Sequence, residues 1–239
     1  MQTFNALGKL IYLSPSGIQV KQNKNFRWIN FDDHLIQSLI SIHDPTAIIL
    51  PYIQPFITFA KESPGPTLLL GLGGGTCVHP LLHAKLKVVE ASADMITIAK
   101  TYFNLAEHHH LTIECRQAED FMHQHQMTYQ HILVDLGDQY GYPKACFELD
   151  FLNNCLACLE EHGDIGFNFA NLEDARRVNQ SLKYDFNLKT LCIKVHSNYL
   201  IHYSKNLSKP DVTHHFKQRF TTIAHTWDSD NGEILSIKA

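Results

Sequence analysis

The chain has 239 residues, of which 44% are hydrophobic and 18% are charged, a balance typical of a folded globular protein and not of a disordered or fibrous one. Its formal net charge of -4 comes without a block of lysines and arginines, which argues against binding along a nucleic-acid backbone. The most apolar stretch, 46–60, is interrupted by two prolines and a glutamine and is too short to span a bilayer.

The six cysteines are scattered through segments predicted to be core strands and helices, which is typical of reduced, packed thiols. The first residues lack the basic and apolar regions of a signal peptide. We therefore expect a cytoplasmic protein that does not associate with a membrane. Neither the Cys155-x-x-Cys158 pair nor the pair His79 and His83 has an evident set of further ligands, so we expect no metal site.

Residues 9–42 predict a small antiparallel β unit, because short apolar runs are separated by turn residues at 14–17 and 21–25. An apolar helix is predicted over 45–62, where proline and glycine residues at 63–66 end it. We expect this helix to open the main domain, so that the β unit occupies residues 1–44 and the main domain 45–239.

Strands and helices alternate through the rest of the chain. Strands are predicted at 67–70, 87–89, 111–115, 131–134 and 164–169, with two late strands near 190–195 and 199–203, and helices at 76–84, 91–104, 119–124, 147–160 and 172–184. Alternating units of this kind build a mostly parallel sheet with helices on both faces, so the fold class is α/β and Rossmann-like.

A glycine-rich turn, Gly71-Leu72-Gly73-Gly74-Gly75 (the glycine loop), directly follows the first buried strand. Glycines permit positive φ and let a ligand approach the backbone, and the helix predicted at 76–84 would add free N–H groups. Thr76 occupies the third glycine position of the dinucleotide pattern G-x-G-x-x-G, which argues against NAD. The loop glycines are therefore candidate cofactor-binding residues, with a plain glycine turn as the alternative.

Glu90 ends the second strand, about twenty residues after the glycine loop, where an acid can bind both hydroxyls of a ribose. The alternative role is to cap the helix that starts near Ser92, although Ser92 can cap that helix itself. The sequence therefore predicts a nucleoside site centred on the glycine loop and Glu90.

Two acids, Asp135 and Asp138, lie at and just beyond the end of the strand at 131–134, where ligands bind in open α/β sheets. Gly141 and Pro143 indicate an ordered loop over the same cleft. We expect Asp138 to face whatever lies beside the nucleoside, with an Asx turn as the alternative.

Taken together, these segments resemble the spermidine/spermine synthase (polyamine aminopropyltransferase) family. The resemblance runs from the β unit at 17–38 to about Phe169, and the C-terminal stretch is unmatched. The matching segments are Phe31–Ser38, the glycine loop, Val89–Glu90, Gln117–Phe121 and Tyr129–Asp138. The resemblance implies an S-adenosylmethionine-dependent methyltransferase fold behind a small N-terminal β domain, and a homodimer.

By this resemblance Glu90 holds the ribose, and Gln117 and Ala118 flank the adenine. Gln37 would approach the cofactor from the N-terminal unit. The implied cofactor is S-adenosylmethionine or decarboxylated S-adenosylmethionine, which would leave as S-adenosylhomocysteine or 5′-methylthioadenosine, and no metal is implied.

Asp138 matches the family acid that handles the attacking amine, and Asp135 is a second candidate for catalysis and for cofactor binding. The implied reaction is an in-line displacement at a carbon attached to a sulfonium, in which the protein positions the amine and removes its proton. The implied partner is a small-molecule amine or another small acceptor.

The chain departs from the family pattern at Gly74, where the family carries an aspartate, and at Gln117, which also replaces an aspartate. The acidic segment expected after Gln37 is replaced by 41–45 and an apolar stretch containing Tyr52. Two alternatives therefore stay open beside an aminopropyltransferase. One is a methyltransferase acting on a small molecule, because Gly74 removes a charge that would repel the cofactor's carboxylate, and the other is a non-catalytic nucleoside-binding protein.

Overall fold

The computed structural model describes residues 8–31, 36–105, 109–137, 141–228 and 232–238. For residues 221–228, 232, 233 and 238 it describes the backbone alone. No helix in these ranges is long and apolar enough to cross a membrane.

A four-stranded antiparallel sheet forms the N-terminal part of the chain, in the order β1-β2-β3-β4. Its strands are β1 Lys9–Leu13, β2 Gln19–Gln22, β3 Phe26–Asn30 and β4 Ile36–Ser41. Side chains from its inner face, among them Ile29 and Ile40, form one apolar cluster with Ile98 and Phe103 of the main domain. The predicted β unit is confirmed, whereas the division of the chain at residue 44 stays a prediction.

The main domain is built on a nine-stranded sheet in the order β12-β13-β10-β11-β9-β8-β5-β6-β7. Its strands are β5 Thr67–Leu70, β6 Leu86–Glu90, β7 Leu111–Cys115, β8 Tyr129–Val134, β9 Leu159–Phe169, β10 Leu191–Val195, β11 Asn198–Ser204, β12 Thr221–Asp228 and β13 Gly232–Lys238. The five strands from β9 to β7 are all parallel. The predicted mostly parallel α/β fold is confirmed.

Helices cover both faces of this sheet. They are α1 Ile53–Phe56, α2 Thr58–Glu62, α3 Ala93–Tyr102, α4 Ala118–Gln124, α5 Leu149–Ala157, α6 Leu172–Gln180 and α7 Lys209–Arg219. One apolar cluster joins the sheet to α4, α5 and α6, and another joins it to α1, α2 and α7. Because both faces are covered, central strands such as β5, with one threonine and three leucines, are wholly buried.

The prediction of a helix over 76–84 is wrong. The chain instead makes successive tight turns with a single 3₁₀ turn at His79–Leu81. Pro80 has no N–H to donate to the carbonyl of Thr76, so a regular α-helix could not form through this segment. The glycine loop is therefore not followed by an α-helix N-terminus, and the expected free N–H groups of such a helix are missing there.

The helix predicted over 45–62 is shorter than expected and is divided into α1 and α2. The residues before Ile53 form turns, because a residue that precedes a proline disfavours the helical conformation and the segment contains Pro45 and Pro51. The C-terminal elements α7, β12 and β13 were not predicted.

Candidate functional site

A cleft of about 920 Å³ lies at the carboxyl ends of β5, β6, β8 and β9, with residues of the N-terminal sheet among its walls. Parallel strands end at the same edge of a sheet, so side chains just beyond several strands meet there. The predicted site residues that line the cleft are Gln37, Gly71, Gly73, Glu90, Gln117, Ala118 and Asp135.

Gly71 is at the point where β5 leaves the sheet, with φ at 95°. Its N–H donates to the carbonyl of Val89 at 2.8 Å. A Cβ on this residue would lie 1.9 Å from the carbonyl oxygen of Asp135. The loop can therefore pass between β6 and β8 only because residue 71 is a glycine.

Gly74 and Gly75 are buried behind the cleft and do not line it. The Gly74 N–H donates to the Ser38 hydroxyl oxygen at 2.7 Å, which ties the glycine loop to β4. A Cβ at residue 74 would lie 2.7 Å from Cδ1 of Phe103 and 2.9 Å from Cβ of Ser38. The aspartate that the family carries in this loop therefore has no room at this position.

The Glu90 carboxylate accepts two backbone hydrogen bonds, from the Leu72 N–H at 2.9 Å and from the Ser92 N–H at 2.8 Å. Burial raises the pKa of Glu90, and these hydrogen bonds oppose the rise. The Ser92 side chain caps α3 by accepting from the Met95 N–H, so capping does not require Glu90. Each carboxylate oxygen accepts one of these bonds, and the backbone N–H groups of Gly73 and Ala91 also face the carboxylate.

Gln117 and Ala118 lie at the start of α4, just after β7. Gln117 occupies the N-cap position with an extended backbone, and its side chain makes no capping hydrogen bond. Ala118 is 5% exposed and packs into the core beside the cleft. Gln37 lies on β4, next to Ser38, and is half-buried.

Asp135 follows β8 directly and is the centre of a hydrogen-bonded group. Its Oδ1 accepts from the Asn168 amide at 2.9 Å, and its Oδ2 accepts from the Tyr52 hydroxyl at 3.2 Å. The Cys77 thiol lies 3.9 Å from Oδ2. Burial raises the pKa of Asp135, and the hydrogen bonds from these three side chains oppose the rise.

Sequence reasoning missed Ser38, Tyr52 and Asn168 as parts of the site. Asn168 carried a usable signal, since an asparagine inside the buried strand β9 requires a polar partner. Ser38 and Tyr52 had no comparable signal, because each reaches the site from a separate element of the chain.

Asp138 lies outside the described residues, so its predicted role stays a prediction. Among the residues that the structure describes, no group of three His, Cys, Asp or Glu side chains could hold a metal ion. His79, considered above as a ligand, has its Nε2 2.8 Å from the carbonyl oxygen of Phe103.

Solved structures with a similar fold include a spermidine synthase and a methyltransferase-like protein. A spermidine synthase from Thermotoga maritima superposes with a TM-score of 0.64 at 15% identity, covering 89% of this chain and 79% of that one. Human methyltransferase-like protein 13 in complex with SAH superposes with a TM-score of 0.58 at 18% identity, covering 76% of this chain and 96% of that one. At these identities the likeness concerns the fold alone.

A curated relative, the polyamine aminopropyltransferase of Chromobacterium violaceum, is 25% identical over 61% of this chain. The match spans 59% of that relative, which is less than two thirds of its length. The model of the spermine/spermidine synthase domain matches residues 51–215, more than half of the chain and all of the parallel core of the sheet. The chain therefore belongs to the spermine/spermidine synthase domain family.

Proposed function

We propose that this chain binds decarboxylated S-adenosylmethionine in the cleft and transfers its aminopropyl group to a small amine. Membership of the spermine/spermidine synthase family supports the reaction class. The observation that carries the proposal is Asp135, a buried carboxylate held by a phenol and an amide in the same cleft as Glu90.

The nucleoside half of the cofactor fits the residues around β6. Glu90 would hold the ribose hydroxyls with its carboxylate, which the backbone at Leu72 and Ser92 keeps in place. Gly71 and Gly73 let a ligand approach the loop backbone, and Gln117 with Ala118 would flank the base. The human neighbour's complex with SAH supports a ligand of this adenosyl class.

A sulfonium cofactor supplies an activated carbon and a neutral thioether leaving group, so the protein needs to position the amine and take its proton. Asp135 would accept that proton, because burial raises its pKa and makes its carboxylate a stronger base than an exposed aspartate. Tyr52 and Asn168 would hold the carboxylate in a fixed orientation while the proton moves. Asp138 is proposed as a second acid beside the acceptor amine.

Gly74 favours a second candidate function, methyl transfer from intact S-adenosylmethionine to a small molecule. An aspartate in the glycine loop would repel the cofactor's carboxylate, and here the space for its Cβ is taken by Phe103 and Ser38. The loop therefore offers no acid that would select the decarboxylated cofactor.

Mass spectrometry tests the proposal directly. The protein is incubated with each cofactor and a panel of mono-, di- and polyamines. An aminopropylated amine together with 5′-methylthioadenosine is the expected result, whereas a methylated product with S-adenosylhomocysteine would favour the second function.

Thermal stabilisation by either nucleoside product without any turnover would indicate a non-catalytic binding protein, and no stabilisation by either would contradict the nucleoside site. Light scattering on the same protein tests the homodimer that the family resemblance implies.

A further inference from the structure

We propose that Asn198, on the hairpin formed by β10 and β11, is a positioning residue that orients Asn168 so that its amide donates to Asp135. The inference rests on the proposed role of Asp135 as the proton acceptor. It assigns a part in the site to residues beyond Phe169, where the resemblance was expected to end, although the family match extends to residue 215.

Strand pairing places Asn198 beside Asn168. β11 pairs antiparallel with β9, and Leu200 lies opposite Asn168 in the register. Side chains alternate along a strand, so Asn198 shares the face of Leu200 and lies diagonally next to Asn168. A shift of one residue would turn Asn198 to the other face of the sheet.

The hairpin turn fixes the register of β11 against β10. Val195 pairs with Asn198, which leaves His196 and Ser197 as a two-residue turn. His196 has φ at 53°, the left-handed conformation that tight hairpin turns use. Because the turn is this short, β11 cannot slide along β10. The ladder that pairs Tyr199 with Phe169 and Ser204 with Asp164 fixes its register on β9.

A row of hydrogen bonds runs from the hairpin to the acid. The Asn198 amide nitrogen donates to Oδ1 of Asn168 at 2.9 Å. The Asn168 amide nitrogen donates to Oδ1 of Asp135, also at 2.9 Å. Asn168 is 7% exposed, so water does not readily replace either partner. Since Asn198 occupies the carbonyl end of the Asn168 amide, only the N–H₂ end is left to face Asp135.

Three other titratable groups face Asp135, and none of them is a cation. Tyr52 faces it from the segment before α1, Cys77 from the turn after the glycine loop, and Tyr142 from the segment that follows β8. Burial raises the pKa of each of the three well above its usual range, so all are neutral at physiological pH. Among the described residues, the groups that hydrogen-bond to Asp135 include no cation.

Loss of Asn198 would free Asn168 to rotate and turn its carbonyl oxygen toward Asp135. A carbonyl beside a carboxyl group favours the protonated acid, whereas an amide N–H favours the ionised one. Asp135 should then become protonated at higher pH, which would remove the proton acceptor over part of the working pH range.

The test is a ¹³C NMR titration of the aspartate carboxyl groups in the full-length protein. The Asp135 signal is identified by its loss in Asp135→Asn. We expect Asn198→Ala to raise the Asp135 midpoint by about one pH unit, the scale of one hydrogen bond to a charged group. Asn198→Asp should raise it further, because a carboxylate at 198 accepts from the Asn168 amide and adds a negative charge. Lys194→Ala, an exposed position on the same hairpin that does not line the cleft, is the matched control.

Equal midpoints in wild type and both Asn198 variants would overturn the proposal, as would an equal shift in Lys194→Ala. Where the wild type turns over, the acid limb of its kcat profile should move with the NMR midpoint in each variant. The titration needs no substrate, so absence of turnover in the wild type would count against the proposed function while the NMR result still decides the role of Asn198.

Discussion

At the level of single residues, the cleft depends on one missing Cβ. Gly71→Ala would place a methyl group 1.9 Å from the carbonyl oxygen of Asp135, in a residue whose φ is 95°. We expect a loss of about 2–4 kcal/mol in the free energy of unfolding, from left-handed strain together with backbone overlap. Urea denaturation measures it.

Alanine substitutions at two other glycines separate the cost of backbone strain from the cost of atomic overlap. Gly137→Ala meets no described atom within 4 Å and has no left-handed φ, so its effect should stay within about 0.5 kcal/mol. Gly141 has φ at 103° in equally open surroundings, and Gly141→Ala should cost about 1 kcal/mol. If Gly71→Ala costs no more than Gly141→Ala, contact with the Asp135 carbonyl does not constrain the loop.

Glu90→Ala tests the ribose site. Removal of its carboxylate should weaken binding of 5′-methylthioadenosine by about 1–3 kcal/mol, the scale of hydrogen bonds to a charged group. Isothermal titration calorimetry measures the change in Kd. Glu114→Ala is the control, because Glu114 pairs with Lys87 and does not line the cleft. Equal affinity in Glu90→Ala and wild type would remove Glu90 from the ribose role.

At the level of elements, buried strands and capped helices could be predicted from the sequence. β5, a threonine followed by three leucines, is completely buried, and α3 begins after a serine that caps it. The same reasoning failed at 76–84, where the alternation of strands and helices suggested a helix and the single proline at residue 80 prevented it. Local pattern therefore predicts an element only where no residue inside it forbids the backbone hydrogen bonds.

The candidate site was predictable to the extent that it follows from the ends of parallel strands. Glu90 ends β6 and Asp135 directly follows β8, and in open α/β sheets such residues meet at one edge. Ser38, Tyr52 and Asn168 could not be assigned in this way. They contact residues 36, 83 and 33 positions away in sequence, and only the packing of separate elements decides such pairs.

Ser38 couples two such elements, β4 and the glycine loop. Ser38→Ala would leave the buried N–H of Gly74 without an acceptor, which should cost about 1–3 kcal/mol of unfolding free energy. It should also speed hydrogen exchange at the Gly74 amide. Ser41→Ala on the same strand is the control, since its exposed bonds to His43 and Asp44 can be replaced by water. Unchanged exchange at Gly74 in Ser38→Ala would show that β4 does not hold the loop.

At the level of the whole molecule, one buried histidine should set much of the response to acid. His202 is 2% exposed and packs against Phe59 and Phe216. Neither ring nitrogen has a hydrogen-bond partner among the described residues. Burial lowers the pKa of His202 to about 3, with a smaller contribution from His215.

In the unfolded chain the same ring has a pKa of about 6.5. Between about pH 6.5 and pH 3 the unfolded state therefore binds a proton that the folded state does not bind. The free energy of unfolding falls as the pH falls through that range. From pH 7 to pH 5 the loss from this residue should be about 2 kcal/mol. His202→Leu should remove this part of the loss, measured as the change in unfolding free energy between the two pH values. His214→Leu, on the exposed side of α7, should keep the wild-type pH dependence. Parallel curves for wild type and His202→Leu would mean that protonation of other groups drives the acid sensitivity.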